Sequence, residues 1–266
     1  MRAAIIIPAR YKSSRFPGKP LQALKGADGV SKTLIQRSWE AAMAASGFAE
    51  VAVATDDDRI ADHARGFGAT VIMTPESCRN GTERCAAALP GLAQAPDLVV
   101  NLQGDAPLTP PWFVEALRDA MAAAPEFDVA TPVLRCDAEA HAAFLEDRAA
   151  GRVGGTTAVF DRAGRALYFS KEVIPYTGRT FSAEEVPPVF HHVGCYAYRP
   201  AALAAYGGWP EGELERWEGL EQLRFLENGT PLKCVEVEAR GRVFWEVNNP
   251  QDVARVESAM ARAGLS

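Results

Sequence analysis

The stretch AIIIPARYKSSRFPGKPL, residues 4–21, governs how the rest of the chain is read. Ala3–Ile7 is a short apolar, largely β-branched run closed by Pro8, the pattern of a strand buried on both faces. The loop after it carries Arg10, Lys12, Arg15 and Lys19, together with Ser13, Ser14, Gly18, Pro17 and Pro20. Four cations in ten residues stand out in a chain whose formal net charge is −6. A triphosphate carries about four negative charges and calls for several cations and free backbone N–H groups at close range. In Pro17-Gly18-Lys19-Pro20 the prolines stiffen the turn and Gly18 is free to take a positive φ, which holds Lys19 out as a grip. A solvated basic loop is the competing reading of the same residues. Neither G-x-x-x-x-G-K-[ST] nor G-x-G-x-x-G occurs in it, which takes weight from P-loop kinases and from dinucleotide-binding dehydrogenases.

Outward from that stretch, strands and helices alternate. A helical pattern runs from about residue 32 to 46, and EVAVATDDD gives a second strand ending at Thr55. DRIADHARGFG reads as a short helix stopped by Gly68, ATVIMT as a third strand, and NGTERCAAALPGL as a helix opened at Asn80 or Thr82. PDLVVNLQGD is a fourth strand that ends in a carboxylate. This alternation predicts an α/β fold with βαβ crossovers and a mostly parallel sheet, in which ligands sit beyond the carboxyl ends of the strands. Pro8–Lys19, Thr55–Asp58 and Gln103–Asp105 all fall at those ends.

After about Asp128 the pattern changes. VATPVL, GTTAVFD, RALYFSK and VFHHVGCYAYR read as strands separated by DRAG and by a longer loop, Tyr176–Pro188, which predicts an antiparallel elaboration over about 130–200. Helical stretches at Leu214–Glu227 and Pro250–Ala263 bracket a last strand at about Leu232–Glu236. With no internal repeat, low-complexity tract or linker, residues 1–266 are expected to form a single domain.

Composition narrows the function classes. The chain is 48% hydrophobic and 23% charged, ordinary for a globular protein. A pI near 5.4 argues against nucleic acid or a membrane surface as partner, so the cations of the opening loop must act locally. No stretch approaches the roughly 20 apolar residues that span a bilayer, and the N-terminal apolar run is too short for a signal-peptide core. The five cysteines form no C-x-x-C pair and read as reduced thiols. A cytoplasmic protein is expected.

Three further constellations carry chemistry. In VVNLQGDAPLTP a strand ends in Gln103-Gly104-Asp105, which sets a carboxylate at the sheet edge where it can hold Mg²⁺ or, more blandly, cap a helix. NGTERCAAAL places Arg84 in the first turn of a helix, for contact with a base or ribose or simply on the surface. GLEQLRFL sets Glu221 and Gln222 on an otherwise apolar helix, where adjacent polar groups are usually its solvent face.

Taken in order, IIPARYKSSRFPGKPL, VATDDD, NGTER, NLQGDAPL, ALYFSKEVIPY, HHVGCYAYR and LEQLRFL resemble the CMP-Kdo synthetases, the 3-deoxy-manno-octulosonate cytidylyltransferases, and continue weakly through VNNPQDVARV. The acylneuraminate cytidylyltransferases are more distant relatives with a similar opening loop. The resemblance implies a Rossmann-like three-layer nucleotide-diphospho-sugar transferase fold, and the reaction of CTP with a 3-deoxy-ulosonic acid to give the CMP-sugar and pyrophosphate. It implies that Arg10, Arg15 and Lys19 grip the triphosphate, that Pro8, Ala9, Ser14, Thr82, Arg84 and Gln103 complete the nucleotide site, and that Asp105 holds Mg²⁺. Gln103, His192, Tyr196, Glu221 and Gln222 match positions that contact the sugar acid. His191, beside His192 in a strand, points to the other face, and Tyr198 is expected to pack. The segment GRALYFSKEVIPY matches a homodimer contact, and Kdo activation implies lipopolysaccharide or capsule assembly.

The chain also departs from that pattern. Ala106 stands where the family usually has Glu, and Arg216 where it has His. Val247-Asn248-Asn249-Pro250 replaces Val-Asp-x-Pro, so a second metal ligand at Asn248 would be neutral. Another nucleotide or sugar acid, or a chain that binds without catalysis, are the alternatives these departures raise.

Overall fold

The computed structural model describes residues 1–13, 16–153, 155–242 and 245–265. β1 (Ala3–Ala9) is buried at every position, as its β-branched run requires. A small hairpin of β2 (Ala23–Lys25) and β3 (Ser31–Thr33) leads into α1 (Leu34–Met43), whose first turn is capped by the Thr33 hydroxyl accepting from the Gln36 N–H. The alternating half is completed by β4 (Glu50–Thr55), α2 (Asp58–Gly66), β5 (Thr70–Met73), α3 (Gly81–Ala88) and β6 (Leu98–Leu102). β4 and β6 flank β1 in parallel and β5 pairs with β4, so the carboxyl ends of β1 and β6 lie side by side.

The second half begins with α4 (Pro111–Ala123), β7 (Val129–Arg135), α5 (Ala138–Ala149), β8 (Thr156–Phe160) and β9 (Ala166–Ser170). It continues with β10 (Phe190–His192), β11 (Cys195–Tyr198), α6 (Pro200–Gly208), α7 (Glu213–Glu218), α8 (Leu223–Glu227), β12 (Leu232–Glu236) and α9 (Asp252–Ala263). All but the hairpin join one ten-stranded sheet in the order β5-β4-β1-β6-β11-β7-β10-β8-β9, with β12 beside β7. β8, β9, β10 and β11 pair antiparallel, whereas β12 runs parallel to β7. The elaboration expected over about 130–200 is therefore part of the main sheet.

Alternate residues of β1 feed opposite faces. Ile5 and Ile7 pack with Ile35, Ile60 and Leu117, while Ala4 and Ile6 pack with Cys85, Leu203 and Phe225. Helices thus cover both faces in three layers. A third, smaller cluster joins Leu24, Leu34 and Leu108 to Val247, Val256 and Met260, and so ties α9 to the hairpin.

Two elements differ from expectation. The single strand read in VFHHVGCYAYR is broken between β10 and β11, where the Thr131 hydroxyl approaches the carbonyls of Val193 (3.2 Å) and Cys195 (2.8 Å). The continuous helix read over Leu214–Glu227 is two short helices, because Gly219 ends α7 with φ of 63°. The sequence reading also omitted α4, α5 and α6. In α5 only His141 is buried, so little apolar periodicity was there to find.

Candidate active site

A cleft of about 1190 Å³ opens at the carboxyl ends of β1 and β6. Its floor is Pro8, Ala9, Gln103 and Gly104, one wall is the loop of Arg10 and Lys19, and another is built from Tyr196, Glu221 and Gln222. Gly18 takes φ of 70° and donates its N–H to the Tyr11 carbonyl (2.9 Å), which closes the loop. Lys19, next in sequence, is thereby turned toward β6, and its Nζ lies 2.5 Å from Asp105 Oδ2. Arg10 is exposed and donates to the Arg79 carbonyl at 3.0 Å. Ser14 and Arg15 lie outside the described residues.

Asp105 caps no helix: α4 starts six residues later, behind Pro110. Its carbonyl accepts the Val247 N–H at 2.9 Å, which draws residues 246–249 to the cleft. Asn248 lines it, with Nδ2 3.4 Å from Glu246 Oε2 and its backbone N–H donated to Asp252 (2.9 Å). Among the described residues no three His, Cys, Asp or Glu side chains cluster as a metal cage.

Asn80 caps α3 by accepting from the Glu83 N–H. Arg84, in the next turn, is only 2% exposed, donating to Thr74 (2.6 Å) and pairing with Asp56 (3.0 Å) while still lining the cleft. The surface alternative for Arg84 therefore fails. Thr82 is wholly buried, and its hydroxyl pairs with Tyr198 at 2.8 Å, so its side chain braces the wall from behind. Its N–H donates to Glu221 Oε2 (3.1 Å), whose other oxygen accepts from Gln103 at 3.4 Å. Burial pushes the Glu221 carboxyl up from its ordinary range.

Glu221 and Gln222 do not lie on the solvent face of a helix. They occupy the turn between α7 and α8, and Gln222 is 1% exposed. Its Oε1 accepts from the Tyr196 hydroxyl at 3.0 Å, whereas its Nε2 meets no hydrogen-bond acceptor among the described residues. A buried amide donor in a cleft wall awaits a partner. His192 sits 2.9 Å from the Thr131 hydroxyl and edge-on to Phe169, and burial drives its ring down to about 3. His191 turns the other way, against Phe144. Tyr198 stacks on Tyr196 and Phe225, in the packing role expected of it.

Behind this wall, Arg224 is held by both oxygens of Glu215 (2.6 Å each) and by Glu83 (3.0 Å). The neighbouring departure, Arg216, faces outward toward Glu211 (3.7 Å) and is not part of the cleft. Sequence reasoning missed Glu246 and Lys171, both of which line the cleft. Glu246 stands one residue before Val247-Asn248 and carried no signal of its own in the sequence. Lys171 reaches the cleft because Gly219, which has no Cβ, leaves room for its Nζ.

The sequence model of the cytidylyltransferase family matches residues 4–237. The chain is 42% identical over 264 residues to a 3-deoxy-manno-octulosonate cytidylyltransferase of Maricaulis maris, covering 99% of each. It is 40% identical over 267 residues to the mitochondrial 3-deoxy-manno-octulosonate cytidylyltransferase of Arabidopsis thaliana, covering all of this chain and 85% of that one. A solved structure of CMP:2-keto-3-deoxy-manno-octonic acid synthetase complexed with CTP superposes with a TM-score of 0.83 at 35% identity, covering 99% of this chain and 100% of the other.

Proposed function

The chain belongs to the cytidylyltransferase family, and from that premise we propose that it joins CTP to 3-deoxy-manno-octulosonate (Kdo) or a close relative, releasing pyrophosphate. The observation that carries this reading is the Lys19–Asp105 pair at 2.5 Å, where the basic loop after β1 meets the acid after β6. Anion grip and metal-binding carboxylate thus share one polyphosphate-sized opening. Kdo as acceptor and CTP as donor follow the names of the relatives, and the sugar-acid end is supported by the unpartnered Nε2 of Gln222.

In this reading Arg10, Arg15 and Lys19 hold the triphosphate, with Ser14 beside them, and Pro8, Ala9, Arg84 and Gln103 border the base and ribose. Thr82 acts on the nucleotide side through the wall it braces. Gln222 donates to an oxygen of the sugar acid, oriented by Tyr196. Glu221 accepts from a sugar hydroxyl, and the neutral His192 packs against the acceptor. The anomeric hydroxyl attacks the α-phosphorus in line: a C–O–P bond forms, the bond to the β-phosphate bridging oxygen breaks with its electrons leaving on pyrophosphate, and the hydroxyl proton passes to solvent.

Asp105 and the side-chain carbonyl of Asn248 suit a hard cation, because Mg²⁺ takes one or two carboxylates and completes its shell with substrate phosphates and water. Mg²⁺ bound there would neutralise phosphate charge and lower the pKa of a bound hydroxyl.

The same reading takes residues 1–266 as one domain, supported by a sheet that draws strands from both halves. It takes the protein as a cytoplasmic homodimer serving lipopolysaccharide or a related glycan; no helix among the described residues is long and apolar enough to cross a membrane. The test is pyrophosphate release from CTP with a panel of 3-deoxy-ulosonic acids, repeated with UTP, ATP and GTP. Turnover with CTP and Kdo is expected, and Asp105→Asn should lower kcat by about 100-fold or more. No turnover with any acceptor would overturn the reading in favour of a silent binder, and preference for another nucleotide would overturn CTP.

A further inference from the structure

We propose that Glu246 supplies the second carboxylate of the divalent-cation site, in place of the neutral Asn248. The inference rests on the cleft being a metal–nucleotide site as read above, and it adds a residue that the motif reading left out. Residues 246–248 run past Asp105, pinned by the Val247 N–H on the Asp105 carbonyl at 2.9 Å. The Val247 side chain is wholly buried in the cluster with Leu108 and Met260. With Val247 turned into that cluster, Glu246 and Asn248 on either side of it both line the cleft.

Three observations place the Glu246 carboxylate within the site. A Cβ built on Gly194, at the break between β10 and β11, would lie 2.7 Å from Glu246 Oε1, so the missing side chain at 194 is what leaves room for the carboxylate. Its other oxygen lies 3.4 Å from Asn248 Nδ2, so the carboxylate and the amide face the same part of the cleft. The same wall holds the 1% exposed Gln222, whose unpartnered Nε2 marks this part of the cleft as built for a ligand. Two carboxylates, one from each side of the Val247–Asp105 hydrogen bond, match the protein share of a Mg²⁺ shell that phosphates complete. Asn248 then adds a neutral oxygen beside two carboxylates, and a carboxylate restored at 248 adds little.

The experiment titrates Mn²⁺–CTP into the full-length chain without sugar acid and follows water-proton relaxation, with free Mn²⁺–CTP as baseline. Glu246→Gln is expected to weaken binding about tenfold or more, and adding Asn248→Asp to it should recover all but about threefold of the loss. Asn248→Asp alone should change binding by less than about threefold. Wild-type affinity in Glu246→Gln, within about twofold, overturns the inference. Should Glu246→Gln not fold, tightening of about tenfold by Asn248→Asp alone overturns it instead. Asp105→Asn separates the layers: if it weakens binding while Glu246→Gln does not, only the inference falls; if both are silent, the metal-site reading falls with it.

Discussion

At His192 burial sets the charge. The ring is 6% exposed, contacts the Thr131 hydroxyl, and is held down to about 3 by desolvation first and by the neighbouring His191 second. The unfolded chain binds that proton near pH 6.5 and the folded one does not, so stability is full above pH 6.5 and falls as pH drops toward 3. The slope for one such group is at most about 1.4 kcal/mol per pH unit. Urea midpoints at pH 7 and pH 5 should show the loss, and His192→Asn should reduce it; an unchanged slope would mean that another group carries the dependence. His191, pushed down to about 4, adds in the same direction. Neither ring is therefore charged at neutral pH, so the proposed anion binding in the cleft falls to Arg10 and Lys19.

Among elements, the decisive contact is between the end of β1 and the turn after β6. A Cβ on Gly104 would lie 2.7 Å from the Pro8 carbonyl, so glycine is what lets Asp105 come up beside the basic loop. The Gly104 carbonyl also accepts from the Ser38 hydroxyl of α1 at 3.1 Å. Gly104→Ala should force the two strand ends apart, lower stability by about 1–3 kcal/mol in a denaturant melt, and raise KM for CTP. A variant with wild-type melting and KM would show that the approach is not needed. The hairpin of β2 and β3 is fixed to α1 by Arg37, whose guanidinium donates to the carbonyls of Leu24 and Val30, and Glu257 of α9 accepts the Lys25 N–H. These ties keep the segment that carries Glu246 and Asn248 over the cleft.

For the whole molecule, β9 ends the strand order of the sheet with Leu167 60% accessible, and the loop beyond it leaves Tyr176 and Val186 open. Exposed apolar side chains grouped at the end of a sheet invite contact with another chain. The proposed homodimer should appear in light scattering as a mass about twice 28.6 kDa, and Leu167→Arg with Val186→Arg should yield the monomer; a monomeric wild type would remove the dimer. The sequence by itself determined the alternating half, a helix opening at Asn80 or Thr82, the strand at Leu232–Glu236 and the two strand-end segments of the cleft. Those features follow from local periodicity, capping and turn chemistry, which a chain carries in its nearest neighbours. Only the tertiary structure decided that Arg84 is buried on Asp56, that Gln222 sits in the turn before α8 and lines the cleft, and that Glu246 reaches it. Each depends on contacts across 26 or more residues, where packing and the desolvation of polar groups outweigh local preference.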